Sequence, residues 1–236
     1  IHAAMLRARA AGLAEVPAAV PAQDGDSLVA SDGRLWEMVS FVDGQPASRP
    51  TAAQVAAALA ALANVHRAGA QPTPRGESAA IRQRVAAARS MIVRPWAGLL
   101  AEASAPGLSP QQMAVRARLA SAATLWSQRA DCHWLAAVAG MECPVVSRQW
   151  VLRDIWCDHV LFAAAEPARV AGLIDYHASG FDTTATDVAR LLGSWIDAGA
   201  SQPTWWEAHL LPYEDVRPLP TRERRLIPFL AASSVV

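Results

Sequence analysis

The sequence predicts an α+β fold: a mostly helical C-terminal part with a small sheet set into it, preceded by a β-containing N-terminal segment. Three observations carry that expectation. Ala-rich stretches with helical periodicity fill most of the chain after Thr51. Short β-prone runs cluster in two places, Ser27–Val42 and Ser147–Ile174. Finally, 236 residues at 53% hydrophobic and 18% charged supply ample material for a core and exclude a disordered chain.

The elements follow in order. Ile1–Leu13 reads as the end of a helix, with Gly12 as its stop. Pro17 and Pro21 force extended chain. Asp32-Gly33, between the runs Ser27–Ala30 and Leu35–Val42, marks a hairpin. Asp43-Gly44, Pro46 and Pro50 close that sheet and form a connector, so a domain boundary is expected between residues 1–46 and 47–236. Thr51 with Gln54 three residues on has the pattern of a capping box and opens a helix to about Ala68. Helical patterns cover Ser78–Ala103, interrupted at Pro95, and Ser109–Ala139. Strands are expected over Ser147–Leu152, Val160–Ala163 and Arg169–Ile174. Helices follow at Thr184–Ile196, Pro203–Leu211 and Thr221–Ala232.

Charge and composition remove several classes of function. Twenty-one acidic and 21 basic side chains cancel, which leaves no bulk electrostatic case for nucleic acid or an anionic membrane as partner. The longest purely apolar run, Val55–Ala63, falls well short of the roughly 20 residues needed to cross a bilayer. Three cysteines without a CxxC pair argue against a disulfide framework and a thiolate zinc site. No secretory signal is seen, so the cytoplasm is the expected compartment. All 21 basic residues are Arg. A Schiff-base enzyme, a P-loop or a Lys-dependent nucleotide kinase therefore cannot be complete within these residues.

The stretch most informative about chemistry runs Val151-Leu-Arg-Asp-Ile-Trp-Cys-Asp-His-Val-Leu-Phe162, followed by Val170-Ala-Gly-Leu-Ile-Asp-Tyr176. It sets Asp154 on a loop after one strand, His159 before the next, and Asp175 at the end of a third, strongly apolar strand. Acids at strand ends are where sites are commonly built, and these three can converge on a metal–phosphate complex. Trp156, beside Asp154, is a candidate pocket wall. His66 and His133 read as structural, and Cys157 as a bystander.

The spacing resembles the catalytic core of the aminoglycoside phosphotransferase and choline kinase-like group, relatives of the protein kinases. That pattern is His-Gly-Asp, an Asn five residues later, then Ile-Asp-Phe, then an Asp twelve residues on leading into Leu-Ala-Arg. Here stand Leu152-Arg153-Asp154, His159, Ile174-Asp175-Tyr176 and Asp187-Val-Ala-Arg190. Ser40-Phe-Val-Asp-Gly44 is similar to the adenine-binding hinge, and Leu62-Ala-Asn-Val-His66 to the Leu-x-x-Leu-His helix under the catalytic loop.

The resemblance implies a protein kinase-like fold that moves the γ-phosphoryl group of ATP or GTP, with Mg²⁺ or Mn²⁺, to a hydroxyl of a small molecule. By it, Asp154 meets the acceptor hydroxyl and Asp175 holds the metal. His159 stands at the second metal position. The Ser40 carbonyl and Val42 amide meet the base, and Asp187 fixes the catalytic loop. The pattern is also broken: Leu152 replaces His, His159 replaces Asn, and Tyr176, His177 and Ala178 stand where a second acid is common. The resemblance further implies an upstream segment with a phosphate-covering loop and a Lys, without which residues 1–236 are expected to bind ATP weakly and not to transfer phosphate. Two other readings remain open, a catalytically inactive pseudokinase-type binding module and a metal-dependent hydrolase using Asp154, His159 and Asp175 as ligands. The few acids between Glu77 and Val138 favour a neutral or anionic alcohol over a polycationic antibiotic as acceptor.

Overall fold

The computed structural model describes residues 1–71, 75–93, 109–118, 138, 140–195 and 203–232. Expectations that fall on 94–108 and on most of 119–139, including His133, lie outside the described residues. The chain divides into two units, residues 1–76 with 145–235, and residues 77–144. All the candidate site residues belong to the first.

That unit opens with α1 (His2–Ala10), which ends before Gly12 in the left-handed region at φ 87°. Residues 18–20 then pair with 38–40 through Val20 N–H to Met38 C=O (2.8 Å) and Ser40 N–H to Ala18 C=O (2.8 Å). Between them β1 (Val29–Ser31) and β2 (Arg34–Trp36) form the antiparallel hairpin expected from Asp32-Gly33. Both turn residues have positive φ, 53° and 70°, as a two-residue hairpin turn that follows the strand twist requires. The connector expected at Pro46 is instead a short edge strand. β3 (Gln45–Pro46) pairs with β7 (Val160–Phe162), which pairs with β8 (Val170–Leu173). An edge is where a strand tolerates a proline, because the missing N–H faces no partner.

α2 (Ala52–Ala68) starts at the expected capping box: Gln54 N–H donates to the Thr51 hydroxyl (3.3 Å), and Thr51 N–H donates to the Gln54 side chain (2.9 Å). After β4 (Gly76–Glu77), the second unit holds α3 (Ala79–Val93), capped by the Ser78 hydroxyl on Ile81 N–H, and helical residues 110–118. The chain returns through β5 (Val145–Val146) and β6 (Gln149–Val151), which pairs with β9 (Gly180–Asp182). A single 3₁₀ turn, Cys157–His159, leads into β7. α4 (Ala185–Ser194), α5 (Pro203–Glu214) and α6 (Thr221–Ala232) complete the helices.

The core forms where α2 packs on α5 and α4 on α6. Leu59 and Leu62 of α2, Leu191 and Leu192 of α4, Leu210 of α5 and Ile227 of α6 are fully buried. Each contributes about 1.5–3 kcal/mol of apolar burial. Gly193 lets α4 and α6 approach: a Cβ there would lie 3.3 Å from that of Ala231. The N-terminal half of α4 is buried on nearly every side. That explains how an acid, Asp187, comes to sit inside it. No helix among the described residues is long and apolar enough to cross a membrane.

Candidate active site

β6 runs out of the core at Val151 and delivers Leu152, Arg153 and Asp154 as a loop. The Asp187 carboxylate, fully buried on α4, organises it. One oxygen accepts the Leu152 amide (2.7 Å) and His66 Nε2 (2.9 Å), and the other accepts the Arg153 amide (2.7 Å). His66 Nδ1 in turn faces the Tyr213 hydroxyl at 2.8 Å, and its carbonyl accepts from Gln149, which is bound by Arg217. Burial holds His66 below its ordinary pKa, against the pull of Asp187, so the ring is neutral. Burial pushes the Tyr213 phenol up to about 12. This enclosure fixes Arg153 in the left-handed region at φ 69°, a conformation that costs a non-glycine residue about 1–3 kcal/mol.

Asp154 is half-buried. Its Oδ1 accepts the Trp156 indole N–H at 2.8 Å and the Arg190 guanidinium through Nη2. Arg190 also lies 4.4 Å above the Trp156 ring. Burial raises the Asp154 pKa, but the two donors outweigh it and hold the carboxyl below the usual carboxylate range.

His159 faces the Asp154 carbonyl oxygen through Nδ1 at 2.8 Å. A carbonyl only accepts, so the proton of the neutral ring sits on Nδ1 and the lone pair is on Nε2. Nε2 lies 3.6 Å from Asp175 Oδ2 and 3.8 Å from Asp158 Oδ1. Asp175 follows β8 with φ 62°, again left-handed, and is exposed. Its other oxygen is 3.4 Å from His177 Nδ1, whose Nε2 reaches Glu37 Oε1 at 2.9 Å. The second Glu37 oxygen is held by His2, and His2 by the Ser27 hydroxyl at 2.7 Å.

The residues expected at the site are therefore only partly gathered. Asp175 and His159 face each other, whereas Asp154 joins them through its backbone and turns its carboxylate toward Arg190. Among the described residues no three His, Cys, Asp or Glu side chains gather as metal ligands. That removes the geometric basis for the three-ligand hydrolase. For a divalent cation the donor set is one carboxylate and one imidazole lone pair whose ring is oriented by a backbone carbonyl, a usual support for a metal-binding histidine. Two protein ligands suit an ion that keeps water and phosphate oxygens as its remaining partners.

Ser40 and Val42 lie on the segment from the 38–40 pairing into β3. Among the described residues neither the Ser40 carbonyl nor the Val42 amide has a hydrogen-bond partner. The Val42 side chain lies directly over Gly172 on β8, where a Cβ would overlap Val42 Cγ1. Reading the sequence gave no role to Arg190, Glu37 or His177. For Arg190 a signal was present: it stands three residues after Asp187, one helical turn along the same face. For Glu37 there was none.

Comparison with known proteins places the chain in a family. The chain is 31% identical to the homoserine kinase of Gluconacetobacter diazotrophicus over 225 residues, covering 92% of this chain and 61% of that protein. It is also 31% identical to the homoserine kinase of Xanthobacter autotrophicus over 228 residues, with 93% and 61% covered. The chain thus spans about three-fifths of the length of the curated relatives it matches. In fold it is similar to an aminoglycoside phosphotransferase from Alicyclobacillus acidocaldarius, with a TM-score of 0.59, 20% identity, and 95% of this chain and 66% of that one covered. It is likewise similar to a spectinomycin phosphotransferase in complex with ADP and spectinomycin, with a TM-score of 0.58, 10% identity, and 98% and 69% covered. The fold is that of the protein kinase-like phosphotransferases, as expected. The family model described as "Phosphotransferase enzyme family" matches residues 1–226, and this chain belongs to that family.

Proposed function

We propose that the protein transfers the γ-phosphoryl group of a nucleoside triphosphate to the hydroxyl of a small molecule, and that the acceptor is a hydroxy amino acid of the homoserine type. The observation that carries this is the catalytic loop itself. Asp187 holds the amides of Leu152 and Arg153, which sets Asp154 beside a His159–Asp175 pair. Two features favour the acceptor class: the homoserine kinases among the relatives, and the Arg190 cation beside Asp154, which opposes a polycationic acceptor.

In this reading the unpaired Oδ2 of Asp154 orients the acceptor hydroxyl and takes its proton as the oxygen attacks phosphorus. Asp175 and the Nε2 lone pair of His159 hold Mg²⁺ or Mn²⁺, which when bound neutralises phosphate charge. Residues 1–46 supply the nucleotide edge, with the Ser40 carbonyl as acceptor and the Val42 amide as donor for adenine or guanine. Their lack of hydrogen-bond partners among the described residues supports that assignment.

The test is phosphate transfer by the native protein, followed by ³¹P NMR, across homoserine, other small alcohols and aminoglycosides, with ATP or GTP and Mg²⁺ or Mn²⁺. Homoserine phosphorylation is expected. Asp154→Asn should lower kcat by at least about 100-fold with nucleotide affinity kept. Asp175→Asn should lose metal-linked nucleotide affinity. Transfer to aminoglycosides alone would overturn the acceptor, and full turnover by Asp154→Asn would overturn the mechanism.

A further inference from the structure

We propose that Arg190 is a positioning residue for Asp154, acting with Trp156 as a two-donor clamp on one carboxylate oxygen. This rests on the phosphotransfer reading above.

Three contacts close a triangle. Arg190 Nη2 and Trp156 Nε1 both donate to Asp154 Oδ1, and the guanidinium stacks 4.4 Å over the Trp156 ring. Each group is thereby held by the other two, which distinguishes this pair from an ordinary surface ion pair whose long side chain remains free to wander. Both donors take the same oxygen. Among the described residues Oδ2 has no hydrogen-bond partner, so the clamp leaves one acceptor site and fixes its direction. A carboxylate held in one rotamer beside its target avoids the reorientation that a freely turning one must undergo in each turnover.

The anchor of the clamp is also the anchor of the loop. Arg190 stands one turn after Asp187 on α4, so a single helix face holds the loop amides with one residue and the loop carboxylate with the next. Arg190 Nε is buried and makes no hydrogen bond among the described residues. Leaving a guanidinium nitrogen unpaired is unfavourable. The arrangement therefore gives up one of the arginine's own hydrogen bonds while keeping its grip on Asp154.

The experiment compares R190K, R190A, W156F and the double variant R190A/W156F in the native protein, by steady-state kinetics and by the indole N–H resonance of Trp156, assigned by its loss in W156F. R190K and R190A should lower kcat roughly 10–100-fold while the nucleotide KM stays within about twofold. W156F should cost less, and the double variant less than the product of the two, because both donors serve one oxygen. Added guanidinium ion should restore part of the R190A rate. The indole resonance should move in R190K, R190A and Asp154→Asn alike. Equal losses in kcat and nucleotide affinity, or an indole resonance that ignores all three substitutions, would overturn the clamp. Should the wild-type protein phosphorylate no acceptor, the phosphotransfer reading falls while the indole resonance still decides whether Arg190 holds Asp154.

Discussion

The loop Leu152–Asp154 and the segment 29–41 belong to the same structural unit and are built on opposite principles. Around the loop, polar groups are enclosed and matched: two amides and a histidine close on one buried aspartate, and a tyrosine and a glutamine hold that histidine. Residues 29–41 are all exposed, Phe41 to 90%. They are held by a short hairpin, two backbone hydrogen bonds and the Glu37 carboxylate between His2 and His177, before Val42 seats on Gly172. The difference teaches that the proposed phosphoryl end is fixed by burial, whereas the proposed base-binding edge is fixed by a few exposed contacts, the steric one at Gly172 among them. Enclosure should be expensive to break and contact cheap.

Four changes break or sharpen that contrast. Asp187→Ala strands two amides and a histidine inside the core and should destabilise by about 3–5 kcal/mol in urea unfolding. A loss under about 1 kcal/mol would mean the loop is held elsewhere. Gly172→Ala drives a methyl into Val42 and should cost about 1–3 kcal/mol. Adding Val42→Ala in the same chain should recover most of that, and a cycle of the four proteins that comes out additive would refute the contact.

The third change is one of pH. His66 has its pKa lowered by burial, so the unfolded chain binds its proton more readily than the folded one. Its contribution to stability is complete above the unfolded value of about 6.5 and is lost as pH falls below it, by at most about 1.4 kcal/mol per pH unit. The Asp154 carboxyl, also lowered, adds a loss in the same direction only around and below its own ordinary range near 3.8. Chemical denaturation between pH 7.5 and 5.5 covers the His66 loss and excludes that of Asp154, and His66→Gln should flatten that slope. The smallest effect is expected at Tyr176, which stacks on Trp150 with its hydroxyl buried and without a hydrogen-bond partner among the described residues. Tyr176→Phe should be neutral or stabilise by up to about 1 kcal/mol. A loss larger than that would show that the hydroxyl has found a partner in solution.

Local features were the ones legible in the sequence. The capping box at Thr51, the Asp32-Gly33 turn and the strands leading to Asp154 and Asp175 are each specified within a few residues, and each forms as expected. The family resemblance, through the offset of twelve from Asp175 to Asp187, implied the residue that cages the loop. What was not legible is side-chain pairing across long separations. His66 meets Asp187 across 121 residues and Tyr213 across 147. Glu37, just after β2 in the N-terminal segment, meets His177 in the loop after β8, a pairing that no local pattern encodes. Pro46 was expected in a connector because its missing N–H discourages strand pairing, yet an edge position makes no use of that group. Asp154 was expected to meet the acceptor hydroxyl, and the basic residue that holds one of its oxygens, Arg190, was visible in the sequence only as part of a motif.

The caging of the loop by Asp187 has a consequence in time as well as in energy. The amide hydrogens of Leu152 and Arg153 are each held by a carboxylate oxygen that water does not reach. Their exchange with solvent is expected to require breaking the contact with buried Asp187, a larger opening than the flicker of a surface loop. Loops that host chemistry usually lie among the quickest parts of a protein to open. Here the chain behind the proposed reacting carboxylate is expected to open on the schedule of the core, so that these two protons keep the clock of the helices around α4.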